Sequence, residues 1–410
     1  MKRKSIHFCH LTDSHLGNRQ YGLLERFDDF ARALSYSINS CINLRPDFVI
    51  MTGDLFENAK PQAPELRQAV RILGKLKEAG IPIILSQGNH DVSYSRARRY
   101  GGDILEFLAD LDIGIQYIQD EINYIELENE KAVLVLAVNY YGKRTDKILQ
   151  QLIHQYSSEL ESFKGLKLLM LHAFVEGMPG VTDVKLRTIN QGNFDYVAVG
   201  HLHERWENKS YRIYCPGSTE HTSVSEWKQP ERGLYDVRNV FVDDHWISEV
   251  EFVPISTRKK IEHSHKFRST SVVEIREEAE AVLLKNDEEN AILRFVFHGD
   301  YKGKEHPFIN LEYFRHIPKK ALHTIIVPKF LEVEKKGSTK KILTKREAYE
   351  GLISKNYELP SKFTEDYISL IEDSIRIVDD TTKIAHQESL LDKRYSQFAK
   401  DLAVKSKEEG

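Results

Sequence analysis

Five short apolar runs in the first 255 or so residues each stop at a polar residue able to bind a metal, and no other feature narrows the possible folds as much. Ile6 to Leu11 leads into Thr12-Asp13-Ser14-His15, Phe48 to Met51 into Thr52-Gly53-Asp54, and Ile81 to Leu85 into Gly88-Asn89-His90-Asp91. Leu168 to Leu171 ends at His172, and Tyr196 to Val199 at Gly200-His201-Leu202-His203. Such short runs, rich in Val and Ile, predict central strands of a sheet covered on both faces. Helical spacing fills the gaps between the first of them: Phe27, Phe30, Leu34, Ile38 and Cys41-Ile42, then Leu66, Val70, Leu73 and Leu76 after Pro61 and Pro64. Strands alternating with helices predict α/β layering, with active residues in the loops beyond the strands' carboxyl ends. Ala132 to Val138 and Tyr211 to Tyr214 are expected as further strands, in a second sheet.

A chain of 410 residues has room for two or three domains, and 41% hydrophobic with 29% charged residues places it among soluble globular proteins. A net charge of −4 carries no global signature of nucleic-acid binding, although local basic patches and bound cations are compatible with it. The basic start, Met1-Lys2-Arg3-Lys4-Ser5, precedes a run interrupted by His7 and His10, which is no signal-peptide core. No apolar run reaches membrane-spanning length, so a cytoplasmic location and no membrane association are expected. Cys9, Cys41 and Cys215 are far apart without a CxxC pair, which predicts buried free thiols rather than disulfides or a thiolate zinc site.

The pattern changes after residue 255. Residues 256–268 hold Arg258-Lys259-Lys260 and few apolar side chains, and read as a linker. Residues 269–343 contain strand-like Leu293 to Phe297 and His323 to Val327, which predicts a small α/β cap with Phe295-Val296-Phe297 in its core. Residues 344–399 turn helical, in two stretches separated by Tyr357-Glu358-Leu359-Pro360, and 400–410 form a charged tail.

The polar residues at the strand ends suit a metal centre. Asp13-x-His15 offers two ligands from one short loop. Gly53 before Asp54 permits a sharp exit from the strand, and a carboxylate so placed can bridge two cations. Asn89 offers a neutral carbonyl oxygen, and His172, His201 and His203 offer imidazoles; alternate residues 201 and 203 share one side of an extended segment. Mixed carboxylate, imidazole and amide donors favour manganese, iron or zinc over calcium. Any one of these motifs is common; all of them, in order and each at a strand end, are not an accident of composition. His7 and His10 flank the first strand and are expected to be structural.

At these residues the chain resembles the calcineurin-like metallophosphoesterase superfamily, and more finely the SbcD-type DNA double-strand-break repair nucleases. The finer likeness rests on His10 to Gly17 followed by Gln20-Tyr21, Gly53-Asp54-Leu55-Phe56, Gly200-His201-Leu202-His203 and Pro216-Gly217-Ser218-Thr219-Glu220, and covers about residues 1–255. The resemblance implies a sandwich of two sheets flanked by helices, with a small α/β cap that binds DNA and a helical carboxyl-terminal tail. It implies two Mn2+ per chain, one held by Asp13, His15, Asp54 and His203, the other by Asp54, Asn89, His172 and His201. His90 is then a catalytic residue outside both ligand sets, and Asp91 its orienting partner. The activity implied is 3'-to-5' exonuclease action on duplex ends and endonuclease action on single strands and hairpins. Glu57 stands where relatives often carry His or Asp, which bears on the balance between the two.

Phosphate or sugar contact is expected from Asn18, Arg19, Gln20 and Lys60, in the loops after the first two strands. By resemblance the apolar stripes of Leu66, Val70 and Leu73 and of Leu105 and Leu108 pair two copies into a homodimer; read without it, they pack on their own sheet. The region 344–399 is implied to bind an SMC-like ABC ATPase of the SbcC type. Two competing functions stand beside this one. A phosphoesterase for a small phosphodiester or a phosphoprotein would share the metal residues, but Leu55-Phe56-Glu57-Asn58 departs from the protein-phosphatase turn. A catalytically silent scaffold is opposed by the presence of every expected ligand.

Overall fold

The structure, a computed structural model, describes residues 5–92, 103–127 and 130–333. The expected ATPase-binding region 344–399, the tail 400–410 and the end of the expected cap lie outside the described residues. Two compact units divide what is described: residues 5–266, 276–298 and 308–329 form the first, and 267–275, 299–307 and 330–333 belong to the second.

Two six-stranded sheets face each other in the first unit. One is built from β1 (Ser5–Leu11), β2 (Phe48–Thr52), β3 (Ile83–Ser86) and β4 (Ile115–Tyr117), extended by β11 (Arg232–Val242) and β12 (His245–Ile255) in the order β12-β11-β1-β2-β3-β4. The other holds β5 (Glu121–Leu127), β6 (Glu130–Val138), β7 (Leu166–His172), β8 (Tyr196–Gly200), β9 (Trp206–Asn208) and β10 (Ile213–Cys215) in the order β5-β6-β7-β8-β10-β9. The five ligand-bearing runs are therefore not one sheet, as their uniform composition suggests; three belong to the first and two to the second. The strand expected at Tyr211 to Tyr214 starts at Ile213, after a single 3-10 turn over Lys209–Tyr211.

Period-two alternation sorts the side chains into layers. Phe8, Phe48, Ile50 and Ile84 meet Val133, Val135, Leu168 and Met170 between the sheets. The opposite face of the first sheet packs Cys9, Leu11, Val49 and Leu85 under α1 (Leu24–Leu44), α2 (Ala63–Glu78) and α3 (Ile104–Asp110). The outer face of the second packs Leu134, Leu136, Leu169 and Val199 under α4 (Thr145–Gln155), α5 (Ser157–Ser162) and α6 (Leu186–Gln191). This is the expected two-sheet sandwich flanked by helices. Cys9, Cys41 and Cys215 are free and buried.

The stripes read as a dimer seam serve this packing. Leu73, Leu105 and Leu108 are fully buried in the layer under α1 to α3, and Leu66 and Val70 are partly buried against the same cluster. Their own sheet withdraws Leu73, Leu105 and Leu108 from water, whereas Leu66 and Val70 keep part of their surface outside. Phe107 on α3 and Leu111 just after it are exposed apolar side chains.

A long antiparallel hairpin, β11 to β12, has no counterpart in the sequence reading. Its two-residue loop, Asp243-Asp244, has φ values of 49° and 64°, the left-handed pair that a tight hairpin turn needs. The stretch read as linker also carries a strand: β13 (Lys260–Lys266) runs parallel to β14 (Ile292–Tyr301), and β15 (His323–Glu332) completes a three-stranded sheet. Alternately exposed positions in Lys260–Lys266 hide it from a search for apolar runs. Two further helices, α7 (Val272–Lys285) and α8 (Leu311–Arg315), follow, and Phe295, Val296 and Phe297 are buried as expected. No helix among the described residues is long and apolar enough to cross a membrane.

Candidate metal centre

Because β1, β2 and β3 run parallel in one sheet and β7 and β8 parallel in the other, all five carboxyl ends deliver their loops to one rim. Two of these loops are zipped together: Asp13 N–H donates to Gly53 O (3.2 Å), His15 N–H to Asp54 O (3.1 Å) and Leu16 N–H to Leu55 O (2.9 Å). Four ligand candidates sit in left-handed backbone, Asp13 (φ 50°), His15 (φ 46°), Asp54 (φ 51°) and His201 (φ 90°), a conformation costly for any residue with a Cβ and concentrated where function requires it. The approach of the loops also dictates glycine. A Cβ on Gly88 would lie 2.2 Å from Asp54 Oδ1, and one on Gly53 2.4 Å from His172 Nδ1.

All seven predicted ligands converge. In one group, His15 Nε2 lies 3.1 Å from His203 Nε2, 3.9 Å from Asp13 Oδ1 and 3.8 Å from Asp54 Oδ2. In the other, His172 Nε2 lies 2.9 Å from Asn89 Oδ1, 3.2 Å from Asp54 Oδ2 and 3.3 Å from His201 Nδ1, and His201 Nδ1 is 2.8 Å from Asn89 Oδ1. Asp54 Oδ2 is thus common to both groups, as the bridging role requires. Asp13, His15, Asp54 and His172 are at most 1% exposed.

The protons explain why this cluster suits cations. His172 Nδ1 donates to the carbonyl of Thr52 (2.8 Å), and His15 Nδ1 to Oε2 of Glu57 (3.0 Å). His203 Nδ1 faces two acceptors, Thr222 Oγ1 and Glu226 Oε1. In each ring the opposite nitrogen therefore presents its lone pair to the cluster, where it meets carboxylate, amide oxygen and other imidazoles. Acceptors facing acceptors at about 3 Å repel unless a proton or a cation lies among them, so the residues fit two divalent cations. In the protein alone, burial pulls the His172 pKa down, but the carboxylates of Asp54 and Asp13 outweigh it and raise it to about 9. Burial likewise works against ionised Asp54, and His172 and His15 nevertheless hold its pKa well below the ordinary value. His201 moves the other way, to about 3, through burial and the nearby His172.

His90 stands beside the cluster with its ring 4.9 Å from that of His15, and its Nδ1 donates to the backbone carbonyl of Glu57 (2.7 Å). Among the described residues, the His90 ring shows no hydrogen bond to Asp91. The Asp91 carboxylate accepts from Phe56 N–H (3.2 Å) and Gly88 N–H (3.1 Å), fastening the loop after β2 to the loop after β3. Burial, then the charge of Asp54, raises the Asp91 pKa to about 7. Glu57 is the residue whose part the sequence left open: its side chain fixes His15 and its carbonyl fixes His90.

Of the residues expected to touch phosphate, three are engaged within the chain. Asn18 donates to Glu57 Oε2 (3.0 Å), while Gln20 donates to Thr222 O (2.7 Å) and accepts from Arg26 (3.1 Å). Arg19 is exposed but lies 3.8 Å from Glu65 Oε1 and over the Phe27 ring, and Lys60 is exposed. His10, buried between Tyr196 and Thr52 at 3.0 Å from each, is structural as expected.

Residues 6–205 match the family described as Calcineurin-like phosphoesterase. The DNA double-strand break repair protein Mre11 of Methanococcus maripaludis is 30% identical over 279 residues, 65% of this chain and 72% of that protein. The protein of the same name from Methanocaldococcus jannaschii is 30% identical over 62% of this chain and 68% of its own length. That of Thermoplasma acidophilum is 26% identical over 71% of this chain and 76% of its own. With the identity spread over most of these relatives and the ligand geometry in place, the chain belongs to the Mre11/SbcD-type nucleases within the calcineurin-like phosphoesterases, and is a metal-dependent phosphodiesterase.

Proposed function

We propose that this chain is a manganese-dependent DNA nuclease of double-strand-break repair, with 3'-to-5' exonuclease action on duplex ends and endonuclease action on single strands and hairpins. The observation that carries the reading is the single oxygen, Asp54 Oδ2, common to two ligand groups 3.2 Å and 3.8 Å away. The repair role and DNA as substrate rest on the likeness to the archaeal DNA double-strand break repair proteins.

Asp13, His15, Asp54 and His203 would hold one cation, and Asp54, Asn89, His172 and His201 the other. When bound, such a pair neutralises phosphate charge and lowers the pKa of a water for in-line attack at phosphorus. The chain's own part is positioning. Thr52 and Glu57 keep the Nε2 atoms of His172 and His15 turned inward. His90, with Nδ1 bound to the Glu57 carbonyl, has Nε2 free to hold a proton and deliver it to the departing sugar oxygen. Exposed Lys60, and Arg19 on leaving Glu65, are suited to backbone phosphates of DNA.

The same reading has the chain work in the cytoplasm as a homodimer bound to an SbcC-type ATPase, through the region 344–399. A dimer would use outward side chains such as Phe107 and Leu111. Truncation after Lys345 is expected to leave metal content intact and to abolish pull-down of the cognate ATPase. The function itself is tested by digesting 3'- and 5'-labelled duplex, single-stranded and hairpin DNA, beside cyclic nucleotides, with manganese, magnesium or chelator. Cleavage of DNA with manganese supports the reading; turnover confined to the small phosphodiesters would replace it.

A further inference from the structure

The residues that hold His203 come from a segment the sequence reading left without a role. His203 Nδ1 lies 2.8 Å from Thr222 Oγ1 and 3.2 Å from Glu226 Oε1. The Thr222 hydroxyl is 2.6 Å from the same Oε1 and donates its proton there, so Thr222 Oγ1 accepts from the ring N–H. Glu226 Oε2 accepts from Thr222 N–H (3.1 Å) and from Arg232 Nη2 (3.1 Å). Arg232 Nη1 closes the loop, donating to the backbone carbonyl of His203 itself at 2.6 Å. Glu226 and Arg232 are 5% and 1% exposed. One buried guanidinium thus grips both the carboxylate behind the imidazole and the main chain that carries it.

We infer that Thr222, Glu226 and Arg232 form a positioning relay that fixes the His203 ring and presents its Nε2 to one cation only, the one shared with Asp13 and His15. A ligand imidazole whose second nitrogen is held in this way keeps one tautomer and one rotamer, and loss of such a partner weakens metal affinity by roughly 10–100-fold. The second group has a different support, because His172 is held by the Thr52 carbonyl. Removing the relay therefore separates the two sites, which a general loosening of the fold would not do. This inference rests on the two-cation reading above.

The test is calorimetric titration of the full chain with Mn2+ alone, with circular dichroism of each variant as the check on folding. The wild-type chain takes up two ions per chain. Thr222→Val, isosteric but without the acceptor, weakens one binding step by roughly 10–100-fold and leaves the other in place. Thr222→Ser restores it, and Glu226→Gln, which retains one oxygen acceptor but not the charge opposite Arg232, weakens the same step. Wild-type affinities in both Thr222→Val and Glu226→Gln would overturn the inference, as would equal loss at the two steps. A wild-type chain that binds fewer than two ions would instead refute the two-cation reading.

Discussion

The backbone N–H of His90 donates a 2.9 Å hydrogen bond to Oδ1 of Asp54, so the candidate catalytic residue holds the carboxylate common to both ligand groups through its main chain and not its ring. Asp54 Oδ2 is thereby left to the two ligand groups. His90→Asn keeps that N–H and is expected to retain both metals while losing turnover by a factor of roughly 100 or more. Asp54→Asn is expected to lose both. Elemental analysis beside nuclease rate distinguishes them, and loss of metal from the His90 variant would place His90 among the ligands.

Asp91 is expected to act on stability and not on the protonation of His90. Asp91→Ala strands the amides of Phe56 and Gly88, each at a cost of about 1–3 kcal/mol when buried. Chemical denaturation should show this loss. A variant of unchanged stability whose pH–rate profile shifts would restore the orienting role.

Glu220 predicts an acid limb in stability. Burial opposes its charge, but its bonds to His221 and Lys260 and the nearby Arg26 hold its pKa well below the ordinary 4.5. A lowered carboxyl contributes stability above its unfolded value, and that contribution is lost as pH falls below about 4.5 through the folded one. Glu220→Gln is expected to flatten this limb and to cost about 3–5 kcal/mol at neutral pH by leaving the buried Lys260 ammonium without its carboxylate, while Arg26 keeps Asp29 at 2.7 Å. Denaturation midpoints of both proteins from pH 3 to 7 test it; parallel curves would contradict it.

Leu108→Ala is expected to cost about 2–5 kcal/mol in unfolding, since the side chain is completely buried. Sedimentation should give the same mass as the unaltered chain. A changed mass without a stability loss would return this residue to an interface.

The metal ligands were legible because each closes an apolar run, so position and chemistry could be read from neighbouring residues, as in Gly53-Asp54 and Gly88-Asn89. The division of strands between two sheets was not legible. Runs such as Ile81 to Leu85 and Leu168 to Leu171 are buried on both faces and carry no mark of their partner. The reach of the Asp91 carboxylate to Phe56, 35 residues earlier, was not legible either. Thr222, Glu226 and Arg232 escaped for the same reason: they meet His203 only through the fold. β13 was hidden by its alternating exposure, and the inward direction of Leu73 and Leu108 depends on which layer covers them.

On the proposed function, seven residues hold two cations with Asp54 between them. Anomalous scattering at the manganese edge, from crystals of the full chain grown with Mn2+, tests it most directly. Two peaks per chain are expected, one bounded by Asp13, His15, His203 and Asp54 and the other by Asp54, Asn89, His172 and His201. A single peak, or a second one that Asp54 does not touch, would contradict it.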